Sequence, residues 1–321
     1  GLAYLDRSQI DKSIRDALGL DTFGDPAAIY KEFLQKTGVL VVGLDPRKAD
    51  AVLRQMLADA GVDLLSNTEI SSVVKGGQNI INLMTSQGRF SGKQFIDATV
   101  NAELAQVAGV KKLKGFQTFG LPESELAVTL VFETQGISVS QLKEIELTYL
   151  KRFTNLGDKE AQKFLLNATN NDEQLAKQLR QDMVDASGNL KRLVAGRDYI
   201  DVRSFALSVA YHSFRGTKLS FPESGVILDK GNIAVLPNGR LSWNALLFKV
   251  TGSEAESLAK NGARPTPKML AEIGYLQKWF NSIGATVTTA SELYIRRAGN
   301  VTGVVQPLTA TEMLMGGVPA S

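Results

Sequence analysis

Lys93-Gln94-Phe95-Ile96-Asp97-Ala98-Thr99-Val100-Asn101-Ala102-Glu103-Leu104-Ala105-Gln106-Val107-Ala108-Gly109-Val110 reads as an apolar strand that runs through Asp-Ala-Thr into a helix stopped at Ala-Gly. Asn101 is placed to cap that helix, and Glu103 stands near the positive end of its dipole. What precedes it gives the context. Asp45-Pro46 opens a helix with Ala49, Val52, Leu53, Met56 and Leu57 on one face, stopped by Gly61. Val62-Asp63-Leu64-Leu65 reads as a buried strand. Residues 69–74 and 79–85 alternate about Lys75-Gly76-Gly77-Gln78 and make a hairpin, and Gln87-Gly88-Arg89 turns into the strand of residues 90–99. Helix, buried strand, meander and strand-into-helix predict a layered α/β sheet.

Working outward, Ser8 caps a short amphipathic helix with Ile10, Ile14 and Leu18 on one face, and Asp25-Pro26 opens a second that runs to Phe33. Val39-Leu40-Val41-Val42-Gly43 is a short apolar strand or connector. Downstream, residues 127–133 read as a strand. Residues 141–152, 159–168 and 172–184 form three charged amphipathic helices that look inserted, their charges on solvated faces. Strands are expected over 205–211 and 232–236, then the hairpin turn Pro237-Asn238-Gly239-Arg240 and a returning strand over 241–250. A helix follows Gly252-Ser253, a longer one over 266–283 carries Met269, Ile273, Leu276, Trp279 and Phe280, and a last strand over 293–296 leads to a short helix from Thr309.

The 321 residues are 44% hydrophobic and 21% charged, enough for one large domain or two ordinary ones. The absence of cysteine excludes disulfides, zinc-thiolate sites, iron–sulfur ligation and thiol catalysis, and it fits a reducing compartment. His212, the single histidine, rules out a His-based metal cluster and leaves one imidazole base. The net charge of +3 comes from 36 basic and 33 acidic residues that are interspersed, so there is no nucleic-acid footprint. No run reaches the roughly 18 apolar residues of a membrane span, and no signal-peptide core is present. A soluble, cytoplasmic protein is expected, with no membrane partner. Gly1 in place of an initiator Met reads as a cut end.

Residues 93–110, in that order of elements, resemble FAD-dependent oxidoreductases of the glutathione-reductase-like type, in which backbone at the Ala-Thr-Gly turn lies against the dinucleotide. Ser291-Glu292-Leu293-Tyr294-Ile295-Arg296-Arg297-Ala298-Gly299-Asn300-Val301-Thr302-Gly303, continued by Leu308-Thr309-Ala310-Thr311-Glu312, is similar to the strand and turn before that family's last FAD-binding segment. The resemblance covers most of residues 37–110 and roughly 230–321, and leaves the helical middle unassigned. It implies a mixed α/β fold: a partial FAD-binding domain with a β-meander (1–125), a substrate domain with a mixed or antiparallel sheet and a helical insertion at 138–195 (126–290), and a return to the FAD-type domain (291–321). It also implies FAD as cofactor, a small organic substrate, and cofactor contacts at Ile70, Ala98, Thr99 and Val100. Trp243 and Asn244 are implied to line the substrate pocket, with Arg296 or its neighbour Arg297 as a cation near the flavin. His212 is the candidate acid or base beside it.

Two departures bear on function. Val100 and Asn101 stand where the family's wording continues Gly-Asp, and a valine Cβ holds phosphates away from the backbone. No G-x-G-x-x-G occurs. Val39-Leu40-Val41-Val42-Gly43-Leu44-Asp45 imitates the start of such a unit, but one glycine cannot make both the tight turn and the close approach, and Asp45 would repel a phosphate. The glycine loop is therefore expected upstream of Gly1, the final segment beyond Ser321, and FAD binding by this piece is expected to be weak. The alternative is a non-catalytic binding or scaffolding domain with flavoprotein topology.

Overall fold

The computed structural model describes residues 3–8, 10–123, 127–296 and 299–305, with 309, 311 and 312. Arg297, Leu308 and Ala310, and with them most of the helix read from Thr309, lie outside the described residues. In chain order the helices are α1 (Lys12–Ala17), α2 (Ala28–Thr37), α3 (Pro46–Asp59), α4 (Glu103–Val107), α5 (Val139–Thr154), α6 (Lys159–Ala168), α7 (Glu173–Asp182), α8 (Ala206–Arg215), α9 (Phe221–Ser224), α10 (Gly252–Lys260) and α11 (Pro267–Ser282). The strands are β1 (Ile70–Gly76), β2 (Asn79–Thr85), β3 (Gly88–Ser91), β4 (Lys112–Leu113), β5 (Val128–Thr129), β6 (Phe132–Gln135), β7 (Val194–Ala195), β8 (Tyr199–Asp201), β9 (Val226–Leu236), β10 (Arg240–Phe248), β11 (Thr286–Thr289) and β12 (Asn300–Val301). The fold is mixed α/β. The chain divides into two compact units, one of Gly1–Leu64, Ala127–Lys249 and Leu258–Ile295, the other of Leu65–Leu126, Val250–Ser257 and Arg296–Ser321.

The first unit is built on a sheet in the order β11-β6-β10-β9-β8-β7, with β5 paired to β10, and its pairs are antiparallel. Pro237-Asn238-Gly239 joins β9 to β10 as the sequence indicated, with Asn238 and Gly239 both left-handed at φ 63° and 70°. Such a turn matches the strand twist. The core is aromatic. Phe132 stacks on Trp243 with centroids 5.6 Å apart, Phe280 meets Trp243 at 5.3 Å and Trp279 at 4.8 Å, and Tyr211 closes on Trp279 at 5.7 Å.

Where β9 and β10 cross closest, only glycine fits. A Cβ on Gly231 would lie 2.5 Å from Ala245 Cβ and 2.9 Å from the Asn244 carbonyl, at the register shift between Asn244 and Leu246. Backbone cannot rotate out of the way. Gly231→Ala is therefore expected to cost about 1–3 kcal/mol, read from the shift in urea midpoint.

Helices α5 to α7 form where local chemistry starts them. Ser138 and Gln141 make a reciprocal capping box for α5, and Asp158 and Asp172 cap α6 and α7. Leu142, Leu150 and Phe153 of α5 and Leu165 of α6 are buried, and so is the carboxylate-bearing Glu146 of α5, while most of the charged side chains stay outside. The strand expected over 205–211 is instead part of helix α8. Ala206 to His212 are all buried, and a run that is apolar on every side carries neither the strand nor the helix period. Tyr211 donates to Glu272 of α11, and Arg215 Nε reaches the same carboxylate at 3.2 Å.

Residues 1–64 group with this sheet rather than with the meander. Tyr4 and Val42 pack on Ala234 and Leu236. Arg240 ties the start of α3 to the sheet, donating to Asp45 and, at 3.1 Å, to Glu133. The helix read from Ser8 begins later, because Asp11 caps it at Ser13.

The second unit contains the meander β1-β2-β3 and the antiparallel pair β4-β12. The meander ends at Ser91. The strands expected at 62–65 and over the remainder of 90–99 do not form, so residues 62–99 are not one contiguous sheet. Val62, Leu64 and Leu65 remain 45–48% exposed and Ile96 is 87% exposed. An extended segment becomes a strand only when a neighbour takes up its amides and carbonyls, and neither has one among the described residues.

Candidate functional site

The turn at the end of the opening motif is fixed by its own side chains. Asp97 Oδ1 accepts from Thr99 N at 3.0 Å and from the Thr99 hydroxyl, while Oδ2 accepts from Ala105 N at 2.9 Å. Thr99 Oγ1 in turn accepts from Glu103 N at 2.8 Å. The helix start is thus capped by Asp97 and Thr99, where Asn101 was expected. Ala102, at φ 56°, occupies the cap position, and Asn101 is buried beside Lys112, whose Nζ donates to the Asn101 carbonyl at 3.3 Å. Partial burial works against charge on Asp97, but the hydrogen bonds from Thr99 and from the Ala105 amide together hold its carboxyl below the ordinary range.

The result is a rigid turn with an open face. Ala98, Thr99 and Val100 are exposed, Val100 at 62%. Ile70 is half-buried at the head of β1 opposite Thr85. The segment of residues 299–305 returns to the same unit: Asn300 and Val301 pair with Leu113 and Lys112, which follow α4 in the chain. Gly299 makes that return possible. Its φ is 106°, and a Cβ there would sit 1.7 Å from the Leu113 carbonyl. Arg296 belongs to this unit and is exposed. Lys112 was not singled out from the sequence, and Asp97 was read only as flanking the turn, not as what closes it. That role was legible, since Asp-x-Thr is the local pattern of a side chain closing its own turn.

Three other candidates lie in the first unit: His212 and Trp243 are enclosed, and Asn244 is half-buried. His212 is 1% exposed, and both ring nitrogens are engaged: Nδ1 faces the Thr217 carbonyl at 3.2 Å, and Nε2 accepts from Leu228 N at 3.2 Å. Burial pushes the imidazole down to about 4, so it is neutral near pH 7 and offers no nitrogen to a substrate. Trp243 donates from Nε1 to Thr134 Oγ1 at 2.9 Å inside the aromatic core. Asn244 pairs with Asn232 across β9 and β10. Packing accounts for His212 and Trp243.

The first strand-like segment also finds a use. The amides of Leu40, Val41, Val42 and Gly43 converge on the carboxylate of Asp198, at distances from 2.7 Å for Val41 to 3.1 Å for Leu40. The imitation of a phosphate loop does bind an anion, and the anion is a side chain of the same chain.

Comparison with known proteins adds the family. The family model described as FAD dependent oxidoreductase matches residues 16–310. No curated protein matches. Among solved structures, the chain is similar to the crystal structure of L-proline dehydrogenase from P. horikoshii, at 13% identity and a TM-score of 0.36, over 83% of this chain and 51% of that one. The chain thus spans about half the length of that structure.

Proposed function

We propose that this chain, which belongs to the family of FAD-dependent oxidoreductases, contributes one wall of a flavin site and the body of a substrate domain for hydride transfer from a small organic substrate. FAD is the cofactor that membership implies, and when bound it supplies the two-electron acceptor. The observation that carries the reading is the Asp97–Asn101 turn, held rigid from within and open on the side of Ala98, Thr99 and Val100. These residues fit one edge of a dinucleotide. A glycine-rich pyrophosphate loop is not in this sequence, so the turn alone would hold FAD weakly. The meander unit is the FAD-type part and the antiparallel unit the substrate-type part, with Arg296, exposed just before the returning segment, as the candidate cation. The interior carries out the rest: it excludes water and holds the sheet, and no proton transfer is assigned to His212.

The test is FAD titration of the purified chain, followed by flavin absorbance and fluorescence. Weak, saturable binding is expected. Val100→Gly is expected to tighten it by about tenfold, because removing the Cβ lets the backbone approach a phosphate. Asp97→Ala should abolish it by freeing the turn. If Asp97→Ala binds FAD as the wild type does, the turn is not the flavin wall.

Val100 itself favours a second reading, a non-catalytic binding or scaffolding domain with flavoprotein topology. The full-length protein purified from its own cells is yellow under the first reading and colourless under this one.

A further inference from the structure

The helical insertion carries a concentration of positive charge that its surroundings neutralise only in part. A cavity of about 460 Å3 opens between α5 and the segment that leads from α7 to α8, and Lys143, Lys191, Arg192 and Arg203 line it. Asp185 is the acid among the lining residues; its oxygens accept hydrogen bonds within its own turn, and its charge offsets part of that of Lys191. Oδ1 accepts from Ser187 N and Asn189 N at 2.9 Å, and Oδ2 accepts from the Asn189 side-chain amide at 3.3 Å. Lys191 lies 3.7 Å from Asp182, a carboxylate it shares with Lys230 at 3.1 Å. Lys143 and Arg203 have no ion-pair partner among the described residues.

A buried acid lies nearby: Glu146 feels the charge of Arg192 and offsets part of it. Leu193 lines the cavity, and its amide points inward to Glu146 Oε2 at 2.8 Å, beneath the surface. Four cations around one concavity focus a positive potential and repel one another, and a bound anion reverses both effects. Two guanidinium forks match phosphate oxygens bidentately, two ammonium groups add point charge, and the volume lies within the range of small-molecule sites.

We propose that this cavity binds a small soluble organic anion bearing phosphate groups. Its charge is met by Arg192, Arg203, Lys143 and Lys191, and its carbon skeleton by the apolar wall at Leu193. The site belongs to the antiparallel unit alone and is independent of the flavin reading.

Pyrophosphate is the probe, titrated calorimetrically into the whole chain at low ionic strength, with inorganic phosphate as comparator. Saturable single-site binding is expected, tighter for pyrophosphate. Arg203→Ala and Lys143→Ala should each weaken it by about tenfold or more, and together abolish it. In the absence of ligand both variants should unfold at the wild-type urea midpoint, since neither side chain has an ion-pair partner to lose. Lys12→Ala and Lys48→Ala, outside the cavity, should bind as the wild type does. Failure to saturate, or binding that survives the double variant, overturns the proposal. So does sedimentation with phosphatidic acid vesicles in the absence of pyrophosphate binding, which would make the basin a lipid surface.

Discussion

Asp198→Ala is expected to lower the folding free energy by about 3–5 kcal/mol and to expose residues 1–64 to proteolysis. Asp198 is 5% exposed, and its carboxylate accepts from the amides of Leu40, Val41, Val42 and Gly43. Hydrogen bonds to an ionised acceptor contribute about 1.5–3 kcal/mol each when buried, but the four amides share one carboxylate, so they do not add. Val42 is fully buried, so its amide would lose its partner with no water to replace it. The apolar contacts of Tyr4 and Val42 with Ala234 and Leu236 depend on the same attachment. Asp198→Asn keeps one acceptor oxygen and loses the charge, and should cost about half as much. Urea midpoints give the energies, and limited proteolysis shows which segment is released. If Asp198→Ala leaves the cleavage pattern of residues 1–64 unchanged, the carboxylate is not what anchors them.

The second large effect is on pH dependence, where two buried groups oppose each other. Burial pushes the Glu146 carboxyl up to about 7, only partly countered by the Leu193 amide, and pushes the His212 imidazole down to about 4. Glu146 has a folded value above its unfolded one, so its contribution is complete below about 4.5 and is lost as pH rises through 7. His212 has a folded value below its unfolded one, so its contribution is complete above about 6.5 and is lost as pH falls through 4. Each shift corresponds to about 3 kcal/mol, with opposite sign over nearly the same window, so the two largely cancel in the native protein. Removing either one should unmask the other. Relative to wild type, Glu146→Gln should gain stability as pH rises from 4.5 to 7, approaching 3 kcal/mol (order of magnitude). His212→Gln should lose relative stability over the rise from 4 to 6.5. Calorimetric melting of both variants and the wild type across pH 4 to 8 checks this. Two difference curves of the same sign would refute the opposition.

Signals that act within a few residues were readable in the chain. The left-handed pair Asn238-Gly239 needs no distant partner to turn β9 into β10, and Asp158, Asp172 and Ser138 cap helices whose first amides are their immediate neighbours. The family also announced itself locally, in residues 93–110. Periodicity failed where it carries no information. Residues 205–211 are buried on all sides as part of α8, and a short run that is apolar throughout fits a strand or a buried helix equally. The candidate site was half visible. The turn was found from its Asp-Ala-Thr wording, but its rigidity comes from Asp97 reaching Ala105, and its neighbouring cation, Lys112, comes from the pairing of β4 with β12.

Composition and local wording by themselves determined the mixed α/β class, the exclusion of thiol and histidine-cluster chemistry, the positions of most helices and turns, and the flavoprotein kinship. Tertiary structure alone decided whether Val62-Asp63-Leu64-Leu65 and Phe95-Ile96 are strands, what the amides of residues 40–43 hold, and whether His212 and Trp243 face a ligand or the core. The physical reason is common to all of these. A helix or a turn closes hydrogen bonds within a few residues of sequence, whereas a strand, a buried charge or an imidazole is defined by a partner the chain supplies from far away: Asp198 lies 157 residues from Val41, and Leu228 lies 16 residues from His212.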